Sequence, residues 1–114
     1  MPPEIRNILA NLPPALAAEA FETIAGSDSV RIERIVSNGQ ATPEGQWYEQ
    51  QQDEWVLVLA GSAGLLFDGE KQSRRLRTGD YTLIPAGCRH RVTWTDPDVT
   101  TVWLAIHFAA VCTP

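Results

Sequence analysis

The sequence predicts an all-β fold, an antiparallel sandwich or barrel entered through a short helical leader. Two observations carry the β assignment. Short apolar segments with period-two character recur from Ser29 onward, and each ends in turn residues such as Asn38-Gly39, Asp68-Gly69 or Asp96-Pro97. A third observation sets the leader apart: before Ser29 the apolar residues recur at helical spacing.

In the leader, Ile5, Ile8, Leu9 and Leu12 predict a helix over Glu4 to Leu12, interrupted by Pro13-Pro14. Pro14 suits the first turn of a second helix running through Ala15, Leu16, Ala17, Ala18, Ala20, Phe21 and Ile24 to Gly26. The expected organisation is a helical leader over residues 1–28, packed on a barrel over residues 29–110, forming one domain overall.

Val30 to Val36 alternates and is closed by Ser37-Asn38-Gly39. Trp55 to Ala60 is apolar on both faces, the mark of a strand in the middle of a covered sheet. Gly61-Ser62 turns the chain into a return strand, Ala63 to Phe67, and Asp68-Gly69 is a strong hairpin signal. Ser73 to Arg77, Tyr81 to Ile84, Arg89 to Thr95 and Thr101 to Phe108 complete the set, with Gly79-Asp80, Pro85-Ala86-Gly87 and Asp96-Pro97-Asp98 between them.

The chain has 114 residues, enough for one domain with its own core. Fourteen acidic against nine basic residues give a net charge of −5, which disfavours nucleic acid and anionic membranes as partners. The basic cluster Arg74, Arg75 and Arg77 reads as a solvated strand face. Cys88 and Cys112 form no metal-type pair, and no signal peptide or membrane span is evident. A cytoplasmic protein with free thiols is the expectation. Because Trp55 to Ala60 needs cover outside as well as inside, a homodimer is expected too.

Two motifs carry a family resemblance. Gly79, Pro85, Gly87 and His90 stand at the spacing of the second signature of the cupin superfamily, and Glu54 and Gly61 match the second half of the first. The paired histidines that precede the glutamate in that family are replaced, by Tyr48 and Gln50 or, with one more intervening residue, by Trp47 and Glu49. The family's trailing asparagine is Trp94 here. The sequence thus resembles small single-domain bacterial cupins with a degenerate first motif, which implies a jelly-roll barrel over about Val30 to Phe108. Gly79 and Gly87 suit tight turns, and Pro85 removes a ladder donor where a strand must end.

The resemblance implies a metal centre inside the barrel, with Glu54 and His90 at matched ligand positions and Gln50 and Tyr48 at substituted ones. Imidazole and carboxylate suit zinc, iron, manganese or nickel, an amide oxygen is a weaker donor, and Tyr48 serves as a proton donor. His107 joins this set if Trp94 and Thr101 face one another across the Asp96-Pro97-Asp98 turn; a one-residue slip sends it outside. Trp94 and Cys88 share the strand face of His90 and, with Trp103, are candidate pocket residues. Arg89 and Arg91 face away from His90, Trp55 points opposite to Glu54, and Glu49 and Asp53 read as solvent-facing acids.

Two function classes follow. One is a cupin that binds a divalent transition metal and a small polar metabolite, with metal-dependent enzyme chemistry open to it. The other is a metal-free cupin acting as a sugar-binding, metabolite-binding or sensory module. No serine–histidine–aspartate order, phosphate loop or nucleotide fingerprint appears.

Overall fold

The computed structural model describes residues 2–14 and 18–109. Its eight strands are β1 (Ala20–Gly26), β2 (Val30–Ser37), β3 (Asp53–Ala60), β4 (Ser62–Phe67), β5 (Arg74–Arg77), β6 (Tyr81–Ile84), β7 (His90–Thr95) and β8 (Thr101–Phe108). They form a five-stranded sheet in the order β1-β2-β8-β3-β6 and a three-stranded sheet in the order β5-β4-β7, with antiparallel pairing throughout. The seven strands expected from Val30 onward form within one or two residues of their predicted limits.

Between the sheets lies a core of Val56, Val58, Ala63, Leu65, Leu76, Ile84, Trp103 and Ala105. These residues come from strands of both sheets, so the apolar burial that stabilises the fold also locks the sheets face to face. The period of two places Glu54, Val56 and Val58 of β3 inward and sends Trp55 and Leu57 outward. Trp55 meets Tyr81 on that outer side, ring centroids 5.4 Å apart.

The leader departs from expectation. Among the described residues there is no helix, and Ala20–Gly26 is a strand paired with β2. Residues 15–17 of the second expected helix lie outside the described residues. The physical reason is that the free edge of β2 offers a ladder of donors and acceptors, and pairing with it outweighs the modest helix propensity of alanine-rich sequence. Residues 2–14 lie on the outer face as irregular chain with a turn at positions 8–11. Arg34, on the outward face of β2, takes the carbonyls of Ile8 (3.0 Å) and Ala10 (2.8 Å) and pairs with Glu22 at 2.6 Å. An isolated helix this short is marginal in water, and a buried guanidinium supplies partners for its carbonyls instead.

Gly61 joins β3 to β4 at φ +81°, where L side chains are rare, and Thr101 packs directly beneath it. A Cβ there would lie 2.4 Å from Thr101 Oγ1 and 2.7 Å from Thr101 Cα. The Thr101 hydroxyl already bonds the Ser62 carbonyl at 3.1 Å, so it has no room to yield. Gly61→Ala should therefore lower stability by about 2 kcal/mol or more. Urea unfolding would show this as a reduced midpoint at an unchanged slope, and an unaltered midpoint would contradict the packing described.

Candidate functional site

A cavity of about 210 Å³ opens between the sheets, and its wall combines charge with apolar surface. Ile35, Val56, Leu65, Ile84 and Val92 supply the apolar part; Arg31, Glu33, Glu54, His90 and His107 supply charge. Each charged group arrives on an inward strand position. Arg31, Glu33 and Ile35 alternate along β2, and Glu54 lies directly across the ladder from His107 of β8.

The segment before β3 is placed by backbone bonds to β7. Thr42 pairs with Val92 through N–H···O and N–H···Oγ1 bonds of 2.8 and 2.9 Å. Tyr48 and His90 exchange two backbone bonds of 2.7 and 3.0 Å, and Gly87 donates to the Gln50 carbonyl at 2.8 Å. This register sets Tyr48 and Gln50 on the cavity wall and sends Trp47 outside, where Arg89 stacks over its ring at 5.3 Å and Arg91 at 5.9 Å.

The charged groups form one continuous chain. Arg31 Nε lies 3.5 Å from Glu33 Oε1, which lies 2.7 Å from His107 Nε2. His107 Nε2 is 3.6 Å from Glu54 Oε2, and Glu54 Oε1 is 3.4 Å from His90 Nε2. His90 Nδ1 lies 2.9 Å from the Cys88 carbonyl, which can only accept, so that nitrogen carries a hydrogen. In neutral His90 the Nε2 lone pair then faces Glu54. His107 is arranged differently: its Nε2 meets Glu33, while its Nδ1 is buried without a hydrogen-bond partner among the described residues, as is the indole Nε1 of Trp103.

Electrostatics follow from these contacts. Burial opposes the charged form of His90, but its bonds to Glu54 and the Cys88 carbonyl, with the Glu54 charge, carry its pKa above the ordinary histidine value. Burial and the nearby charges of Glu19 and Glu54 raise Tyr48, against an opposing bond from Thr42, so its phenol stays protonated and can donate. Burial also raises Glu19, which lines the cavity and bonds the Ser37 hydroxyl.

Glu54, His90, His107, Gln50, Tyr48 and Trp103 thus all reach the cavity, while Trp94 and Cys88 are not among the lining residues. Trp94 is displaced by a bulge in β7: Val92 pairs with Leu65 but Trp94 with Gly64, leaving Thr93 as the extra residue. That bulge reverses the face, and Trp94 packs on Gly64 with Arg75 over its ring at 5.9 Å. Cys88 precedes β7 and packs against the core as a partly buried thiol. Cys112 lies outside the described residues. His107 comes inward by a route other than the expected one, since β7 and β8 belong to different sheets and β8 pairs with β2 and β3. Asp53 is buried, not solvent-facing, and its carboxylate accepts from Ala86 N at 2.8 Å, holding the Pro85–Gly87 turn ahead of His90.

Glu33, Arg31 and Glu19 were not singled out from sequence. The alternation of Arg31, Glu33 and Ile35 was a usable signal, because a strand with charge on both faces has to turn some of that charge inward. Among the described residues, no three His, Cys, Asp or Glu side chains are disposed as a ready metal centre.

The raised His90 pKa fixes a pH dependence. In chelator-treated protein, NMR should place His90 above the ordinary value of about 6.5, and Glu54→Gln should bring it down. The stability that this pair adds is full below about pH 6.5 and fades as pH rises through the folded-state value. A wild-type midpoint below 6.5, or one indifferent to Glu54→Gln, would contradict the pairing.

Comparison with known proteins agrees with this architecture. The cupin domain family matches residues 35–107. A crystal structure from Ralstonia eutropha, described provisionally as a mannose-6-phosphate isomerase, is 47% identical, covers 95% of this chain and 100% of its own, and superposes with a TM-score of 0.91. A cupin superfamily protein from Desulfitobacterium hafniense is 22% identical over 96% of this chain and 94% of its own, with a TM-score of 0.74. The DMSP lyase of Ruegeria pomeroyi is 25% identical over 84% of this chain but 49% of its own, with a TM-score of 0.61. No curated protein matches the sequence. With the second cupin motif and the latter half of the first on an antiparallel jelly roll, and a family match over residues 35–107, this chain belongs to the cupin superfamily.

Proposed function

We propose that the barrel binds a divalent transition metal through Glu54, His90 and His107, with Gln50 beside them, and admits a small polar metabolite next to it. One observation carries the reading: Glu54 bridges two imidazole nitrogens, at 3.4 and 3.6 Å, inside an apolar-walled cavity. Ligands about 2.0–2.2 Å from a zinc-type ion stand about 3–3.5 Å from one another, so each imidazole nitrogen lies close to ligating separation from Glu54. His90 is already prepared, with Nδ1–H held by a carbonyl and Nε2 directed at Glu54. His107 fits less well, because it must leave Glu33 to ligate through Nε2.

A bound ion would act as a Lewis acid on a substrate oxygen or lower the pKa of a bound water. The chain's own groups define the rest. Tyr48 presents a neutral phenol as a proton donor. The apolar wall keeps water from competing with these contacts. The Ralstonia relative suggests sugar-like substrates, and the charge of the wall refines that suggestion. Glu19, Glu33 and Glu54 face one guanidinium, Arg31, which is already committed to Glu33. Without a metal ion such a wall disfavours a phosphate group and suits a neutral hydroxy or oxo compound; a bound divalent ion would offset that bias.

The contact between His107 and Glu33 also favours a second reading, a metal-free module that holds its ligand by hydrogen bonds. Elemental analysis of untagged, chelator-free protein separates the two. Near one equivalent of zinc, iron, manganese or nickel per chain is expected, with Glu54→Gln and His90→Ala weakening affinity by about 100-fold or more, beyond the 10–100-fold typical of outer-shell partners. No uptake after incubation with each ion, or undiminished uptake in both variants, would sink the metal reading and leave the binding module.

A further inference from the structure

The outer face of the three-stranded sheet carries a stripe of arginine that the cavity does not use. Core residues Ala63 and Leu65 turn one face of β4 inward, which places Ser62, Gly64 and Leu66 on the opposite face. Each of these meets an arginine on a neighbouring strand: Ser62 pairs with Arg77, Gly64 with Arg75 and Leu66 with Arg91. Arg89 extends the series at Asp68, whose N–H donates to the Arg89 carbonyl at 2.9 Å. Two tryptophans hold these side chains. Gly64 has no side chain, so Arg75 of β5 and Trp94 of β7 meet across β4, the guanidinium 5.9 Å from the ring centre. Trp47 carries both Arg89 and Arg91, at 5.3 and 5.9 Å.

Positive charge is concentrated on this side of the molecule. Of the chain's nine basic residues, Arg6, Arg31 and Arg34 lie elsewhere, and each meets a glutamate, at 3.1, 3.5 and 2.6 Å. The rest belong to β5, β7 or the residues flanking them, Lys71 among them. Arg74 pairs with Glu70 and Arg89 with Asp68, but Arg75, Arg77 and Arg91 have no carboxylate within 4.0 Å among the described residues.

We propose that this stripe docks an extended acidic segment of a partner protein. Geometry and charge select that occupant. Alternate positions of β4 are about 6.8 Å apart, so Ser62 to Asp68 span about 20 Å, longer than a small metabolite. An extended partner repeats at the same distance of about 6.8 Å, so carboxylates at every second residue fall in step with the arginines. The stripe stands on a chain of net charge −5, and a short acidic segment can meet it without approaching the acidic remainder. Guanidinium groups already laid on indole rings lose little freedom on taking a carboxylate, to which they present paired N–H donors. Single-stranded nucleic acid suits the stripe less well, because its bases would need the ring faces that Arg75, Arg89 and Arg91 occupy. The stripe lies on the side of the small sheet away from the cavity, so its occupant is independent of what the barrel holds.

Fluorescence anisotropy at about 50 mM salt, where surface charge is little screened, tests this with two fluorescein-labelled decapeptides of equal composition. One alternates glutamate with serine; the other carries its glutamates in one block. The full chain should bind the alternating peptide saturably, and at least about 3-fold more tightly than the block peptide. Arg75→Glu combined with Arg77→Glu, both at exposed positions, should weaken that binding about 10-fold or more with circular dichroism unchanged. Arg6→Glu, on the leader, should leave it unaltered. In the unaltered chain, salt of about 500 mM should also weaken it about 10-fold or more. A labelled deoxythymidine decamer should bind less tightly than the alternating peptide. No saturable binding, equal affinity for the two peptides, affinity that survives the double substitution, or preference for the oligonucleotide would overturn the proposal. So would sedimentation showing self-assembly of the chain that the double substitution abolishes.

Discussion

Inside the barrel, Glu54 stands across the central ladder from His107, with His90 reaching it from the opposite sheet. A carboxylate removed from water costs several kcal/mol unless it is paired, even after the protein relaxes around it. The pairing of Glu54 therefore constrains three separate parts of the chain at once. β3 and β8 must keep their register, because a slip of one residue would put Glu54 and His107 on opposite faces. The Pro85–Gly87 turn must hold its shape, which Asp53 secures from the start of β3. The segment from Thr42 to Gln50 must run beside β7, which its backbone bonds to Val92, His90 and Gly87 ensure.

Those same requirements explain what the sequence revealed. Strands β2 to β8 were legible because alternation and turn chemistry agree along that stretch, and the cupin spacing located Glu54 and His90. The leader was misread because apolar spacing in a short alanine-rich segment cannot report an unpaired strand edge nearby, and that edge decided the conformation of Ala20–Gly26. Trp94 was misplaced because a single extra residue at Thr93 inverts everything beyond it, and bulges leave little trace in composition. The direction of His107 was left to hang on a pairing of β7 with β8 that the fold does not form. His107 points inward because β8 pairs with β2 and β3 in a register that aligns it with Arg31 and Glu54, a matter of topology that local pattern does not encode. Glu33 went unrecognised although its alternation was visible, since only its contact with His107 shows that it faces inward.

The barrel divides its tasks between its faces. Its interior gathers a chain of charge from Arg31 to His90 and surrounds it with apolar side chains, an arrangement that strengthens electrostatic interactions and makes unpaired groups costly. The outside of the larger sheet is apolar across β8, β3 and β6, and its one row of Leu104, Leu57 and Tyr81 continues into the Arg34–Glu22 ion pair on β2 and β1. Cupin folds tolerate many chemistries, so the residues in the cavity, and not the fold, decide what this one does. Here they combine an acidic wall, two differently held histidines and a protonated phenol, a set suited to a cation and a neutral polar guest.

The most direct measurement is anomalous diffraction from crystals grown with manganese, recorded near the metal absorption edge. One strong anomalous peak is expected inside the barrel, within ligating distance of Glu54 and His90, with His107 turned from Glu33 toward it. Density showing only solvent there, with the Glu33–His107 contact intact, or a peak confined to surface carboxylates, would contradict it.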